Sequence, residues 1–74
     1  MTSDEKIINW LIAQRNLSGI TQKQLSEKLK RPQSFISKYE TMQKRLTLNE
    51  FIEICKTLKA DPSDAIRSTI NEHK

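Results

Sequence analysis

Apolar residues recur along this chain at intervals of three and four, the spacing that lines one side of a helix. The strict alternation of a half-buried strand is nearly absent, and there is no valine. A first helix is predicted over about 4–17, with Ile7, Ile8, Leu11, Ile12 and Arg15 on one side. Thr2 followed by Glu5 makes a capping box, Asp4 and Glu5 suit the positive end of the helix dipole, and Gly19 stops the segment. Thr21 opens a second helix with Gln24 completing its box, Ile20 and Leu25 forming a hydrophobic staple, and Leu25 and Leu29 facing inward.

Pro32 is expected in the first turn of a third helix, where its fixed backbone angle fits and no amide proton is needed. In that helix Ile36 and Tyr39 are expected to be buried and Phe35 partly so, and the helix should end near Thr41. Thr47 with Glu50 caps a fourth helix, Leu46 and Phe51 form its staple, and Leu48, Phe51, Ile52, Cys55 and Leu58 form its apolar stripe. Asp61 caps a fifth helix with Pro62 in first position and Asp64 in the first turn; Ala65, Ile66 and Ile70 line its apolar side. The fold class is therefore all-α, with five short helices in one domain over 1–74. Only about three residues, 30–32, separate helices two and three. So short a connection makes them cross steeply, as in a helix-turn-helix over about 21–41.

Charge sharpens this picture. The chain carries a net +4, but the segment 21–45 alone has seven basic residues against two acidic, a net of +5, and the other 49 residues carry −1. Positive charge gathered in the middle third is the expected footprint of a phosphate-binding face, although a solvated basic surface has the same signature. One cysteine cannot form an internal disulfide, and no cysteine and histidine spacing suggests a zinc site. The apolar run at 10–13 is far too short to span a membrane, and the first residues lack a signal-peptide core. A soluble, cytoplasmic protein is expected.

Arg15, the run Gly19-Ile20-Thr21-Gln22, Leu25, and the run Gln33-Ser34-Phe35-Ile36-Ser37-Lys38-Tyr39-Glu40 together resemble the Cro/CI-type (XRE-like) helix-turn-helix family of bacterial and phage repressors. The resemblance covers roughly 7–58. It implies a compact lambda-repressor-like domain that binds double-stranded DNA, with helix three in the major groove and helix two across the backbone above it.

Gln22, by this resemblance, contacts a phosphate, and the free amides at the start of helix two give the physical reason, with Thr21 and Gln22 adding side-chain donors. The same resemblance implies that Gln33, Ser34, Ser37 and Lys38 are the groove-facing set, and spacings of three and four put them on one face. Glutamine can bond adenine in bidentate fashion and lysine can donate to guanine acceptors. Each of the four has a plainer alternative: Gln33 and Ser34 as helix-starting polar residues, Ser37 as a solvent-facing or phosphate-bound hydroxyl, and Lys38 as a phosphate contact. Lys44 and Arg45 either grip phosphates or belong to an ordinary charged loop. Arg15 and Glu40, at the family's matching positions, imply an ion pair that orients helix three.

Four positions depart from the family pattern. Met42 stands where glycine usually follows helix three, and a left-handed turn would strain it, so another loop path is expected. Lys30 also replaces a usual glycine, Ser26 stands where alanine is common, and Leu46 where proline is common.

No active site is legible. His73 is the only histidine and lies next to the C-terminus, Gly19 is the only glycine, Cys55 sits on an apolar stripe, and Trp10 reads as packing. No enzyme activity, cofactor or metal is expected. The first functional reading is a sequence-specific regulator, a repressor, that binds a palindromic operator as a homodimer. Ala65, Ile66 and Ile70 either form the dimer patch or close the core. The alternative is an antitoxin or adapter module that holds a protein partner, although a degenerate DNA face would have lost the basic charge that this one keeps.

Overall fold

Three threonines set where three of the helices begin. Thr2, Thr21 and Thr47 each accept a backbone N–H from the residue three places on, and the side chains of Glu5, Gln24 and Glu50 each return to the threonine amide. In the computed structural model, which describes residues 2–70, these boxes open α1 (Ser3–Leu17), α2 (Gln22–Leu29) and α4 (Leu48–Leu58). Asp61 takes the corresponding role before α5 (Pro62–Ile70), its carboxylate accepting from the Ser63 amide and hydroxyl. α3 (Gln33–Glu40) starts without a side-chain cap, because the residue before it is Pro32. Pro32 is the residue before α3 rather than its first: its ψ of 149° is extended, and the helix starts at Gln33. The five helices follow the sequence reading, and the described residues contain no strand.

Four helix ends close in the same way. Gly19, Lys30, Met42 and Lys59 have φ of 74°, 59°, 66° and 57°. In each case the following amide bonds the carbonyl five residues back: Ile20 to Arg15, Arg31 to Ser26, Gln43 to Lys38 and Ala60 to Cys55. The expectation that the chain would avoid a left-handed residue at Met42 is therefore wrong. Closing the last turn satisfies carbonyls that the helix end would otherwise leave unpaired, and this outweighs a penalty of about 1–2 kcal/mol for a side chain in that region.

α2 and α3 pack closely on one another, α5 lies along α1, and α4 supports α1 and α2. Leu11, Leu25, Ile36, Tyr39 and Ile54 are fully buried at their junction, with Cys55 beside them. Trp10 joins α1 to α4 through Phe51, ring centroids 6.4 Å apart. Phe35 is buried, not half-exposed as expected, and meets Tyr39 edge-on at 5.7 Å. The stripe of α4 is Phe51, Cys55 and Leu58 as expected, together with the fully buried Ile54, which the sequence reading left out; Ile52 is half-buried. Leu48, expected in that stripe, is 74% exposed, because a side chain in the first turn leans back toward the N-terminus and past the end of the core. On α5 only Ala65 is buried; Ile66 and Ile70 stay exposed. They do not close the core: α5 packs along α1, and its one buried side chain is Ala65.

Candidate nucleic-acid interface

The turn between α2 and α3 is three residues long, and its shape follows from two of them. Lys30 in the left-handed region reverses the chain, and Pro32 holds it extended into α3. α3 then divides cleanly. Phe35, Ile36 and Tyr39 are buried beneath it, while Gln33, Ser34 and Lys38 are exposed on the other side and Ser37 is half-buried between them. The four residues read from the sequence as a groove-facing set thus share the outer face. The Ser37 hydroxyl donates to the Ser34 carbonyl at 3.3 Å and the Thr41 hydroxyl to the Ser37 carbonyl at 2.7 Å. These bonds hold the two hydroxyls against the helix. Gln33 and Lys38 keep long side chains free to reach away from it.

At the start of α2 the box formed by Thr21 and Gln24 uses the Thr21 amide and the Gln24 amide, at 2.8 and 3.0 Å. The amides of Gln22 and Lys23 have no acceptor within the helix and carry its positive end. The side chain of Gln22 turns toward Glu40, and its amide nitrogen donates at 2.9 Å. Gln22 therefore has one amide proton committed inside the fold and a second left to give.

Arg15 and Glu40 form the expected pair. The guanidinium meets the carboxylate through two bonds, 2.8 Å from Nε and 3.2 Å from Nη2, and also donates to the Ile20 carbonyl at 2.9 Å. Both side chains are largely buried, so the Glu40 bonds raise the pKa of Arg15 above its already high ordinary value. Burial raises the pKa of Tyr39 well above its ordinary value, and its hydroxyl has no hydrogen-bond partner among the described residues.

Lys44 and Arg45 do not stay together. Lys44 folds back, 3.4 Å from Glu50, while Arg45 is almost wholly exposed, with Asp4 at 3.7 Å. Arg31, which the sequence reading passed over, lies with its guanidinium over the Phe35 ring and bonds Glu53 at 3.0 Å. Its place in the turn just before α3 was the available signal. An open groove between α1, the segment after α3 and α4 is floored by Ile8, Leu46 and Phe51 and rimmed by Met42, Leu48 and Ile66.

Burial pushes the Cys55 thiol up to about 11, which keeps it protonated and unreactive at neutral pH. No three acidic, histidine or cysteine side chains converge among the described residues, and His73 lies outside them. No helix among the described residues is long and apolar enough to cross a membrane.

Residues 11–64 match the model of a helix-turn-helix family. The fold is similar to that of an XRE-family like protein from Pseudomonas syringae pv. tomato str. DC3000, with a TM-score of 0.88 and 33% sequence identity over 97% of this chain and 88% of that one. No curated protein matches the sequence.

Proposed function

The chain belongs to the XRE-type helix-turn-helix family of DNA-binding regulators, and from that premise we propose that it is a sequence-specific transcription repressor that reads the major groove with α3. The observation that carries the reading is the division of α3 into a buried apolar side and an outer side of Gln33, Ser34, Ser37 and Lys38. Gln33 and Lys38 have the reach and the donors to recognise adenine and guanine edges, and the two serines add less selective contacts. The open amides at the start of α2, with Thr21 and Gln22, take a backbone phosphate and set the register. Lys44 and Arg45 add phosphate contacts beyond α3. A domain of this size represses most simply by occupying its operator, and it works where the DNA is, in the cytoplasm.

The operator is a palindrome read by a homodimer, the 1–74 segment serving as one DNA-binding domain per subunit. The exposed Ile66 and Ile70 of α5 are the candidate contact, because they are large, apolar and unused by the core. A second reading, an antitoxin or adapter that holds another protein, draws on the same exposed apolar residues together with Met42 and Leu48.

Selection from a random duplex DNA library separates these readings. Enrichment of a palindrome with half-sites about one helical turn apart is expected. A single enriched half-site would leave the DNA reading and remove the dimer. No enrichment above non-specific retention would remove the regulator reading and move the protein partner to first place.

A further inference from the structure

Two cations enter from opposite ends of α3 and meet at one carboxylate. Arg31 stands in the turn before the helix and Lys44 in the segment after it. Both lie over the ring of Phe35, the Arg31 guanidinium 4.7 Å and the Lys44 ammonium 5.6 Å from its centroid. Both then reach Glu50, Arg31 at 3.8 Å and Lys44 at 3.4 Å. Glu50 is held in place: its carboxylate accepts the Thr47 amide at 2.9 Å, and its side chain is only 15% exposed. The two cations sit on long flexible stems and are each about one-third exposed. The carboxylate is the fixed member of the cluster and the cations are the movable ones.

We propose that Glu50 sets the DNA affinity of this protein by holding Lys44, and with Glu53 also Arg31, away from the phosphates that flank α3. The carboxylate occupies the place of a phosphate while DNA is absent, and DNA must displace it to recruit these cations. The inference rests on the reading that the two ends of α3 face a DNA backbone. Phe35 gives both cations a neutral surface to rest on in either state, since its ring attracts a cation whichever anion is near.

Glu50→Gln is a clean test, because glutamine serves equally in a capping box and does so in this chain at Gln24. The charge is removed and the helix start is kept. Wild type, Glu50→Gln, Glu5→Gln and the double variant Glu50→Gln with Lys44→Gln would be titrated onto duplex DNA over a range of salt concentrations. Glu5→Gln is the control, a capping-box glutamate on α1 that loses the same charge. Glu50→Gln is expected to bind roughly three- to tenfold more tightly at low salt, with a salt dependence steeper by about one phosphate contact. Glu5→Gln should change affinity far less, and the Lys44→Gln double variant should lose most of the gain, since Arg31 stays paired with Glu53. If wild type binds and Glu50→Gln binds no better, the proposal fails and the DNA reading stands. An equal gain in Glu5→Gln would reduce the effect to net charge and overturn the proposal. If wild type does not bind duplex DNA at all, the proposal and the reading beneath it fall together.

Discussion

The side-chain amide of Gln22 donates to Glu40 at 2.9 Å, which ties the first residue of α2 to the last residue of α3. The same carboxylate oxygen accepts from Arg15 of α1 at 3.2 Å, and Arg15 also bonds the Ile20 carbonyl just ahead of α2. One buried carboxylate thus holds three helices in register. A phosphate contact from Gln22 would be made by an amide whose orientation Glu40 has already set.

Gln22→Ala should weaken binding to operator and non-operator duplexes alike and reduce the salt dependence, as loss of a phosphate contact does. Lys38→Ala should instead weaken operator binding by about 1–3 kcal/mol while leaving the melting temperature unchanged, because Lys38 is exposed on the outer face of α3. Fluorescence anisotropy with both duplexes distinguishes the two patterns. Affinity unchanged in both variants would mean that α3 does not dock as described.

Tyr39→Phe should stabilise the fold by about 1 kcal/mol. The hydroxyl is buried without a partner, and removing it takes away a desolvated polar group while keeping the ring against Phe35. Urea denaturation measures the change; a loss of stability would mean that the hydroxyl is satisfied after all.

Met42→Gly should raise stability by about 0.5–1 kcal/mol, the relief of the left-handed backbone exceeding the entropy that glycine brings to the unfolded chain. A lower melting temperature would show that the partly exposed Met42 side chain contributes more to packing than its backbone costs.

Ile54→Ala and Leu48→Ala sort the two residues of α4. Ile54 is fully buried, and its truncation should cost about 2–4 kcal/mol. Leu48 is mostly exposed, and its truncation should stay within about 0.5 kcal/mol of wild type. Equal losses would place Leu48 in the core.

Stability should fall in acid. Hydrogen bonds from the amides of Thr2 and Thr47 hold the carboxyls of Glu5 and Glu50 below their ordinary 4.5, and bonds from the Ser63 hydroxyl and amide hold Asp61 below its ordinary 3.8. A carboxyl with a depressed folded pKa contributes in full above its unfolded value and loses that contribution as pH falls through its folded value. Melting temperature recorded from about pH 6 to about pH 3 should therefore drop once pH passes below 4.5, and Glu50→Gln should shallow the drop. A flat profile would mean that these bonds do not persist in solution.

What the sequence determined by itself was whatever depends on neighbours three to five residues away. The boxes at Thr2, Thr21 and Thr47, the stop at Gly19 and the two-sided character of α3 all follow from spacing, because helix hydrogen bonds and side-chain faces repeat within one turn. The partnership of Arg15 with Glu40, 25 residues apart, was legible only through resemblance to a family. The tertiary structure alone decided which side chains are already engaged. Lys44 and Arg45 are adjacent in sequence, yet one is drawn to Glu50 and the other is left in solvent near Asp4. The spacing put Leu48 in the stripe of α4 and passed over Ile54, and only the position of the neighbouring helices reversed the two; Met42 is left-handed because α3 must end there with its carbonyls paired. Periodicity reports the face on which a side chain stands; burial and pairing depend on what the rest of the chain brings against that face, and that is set by the packing of helices distant in sequence.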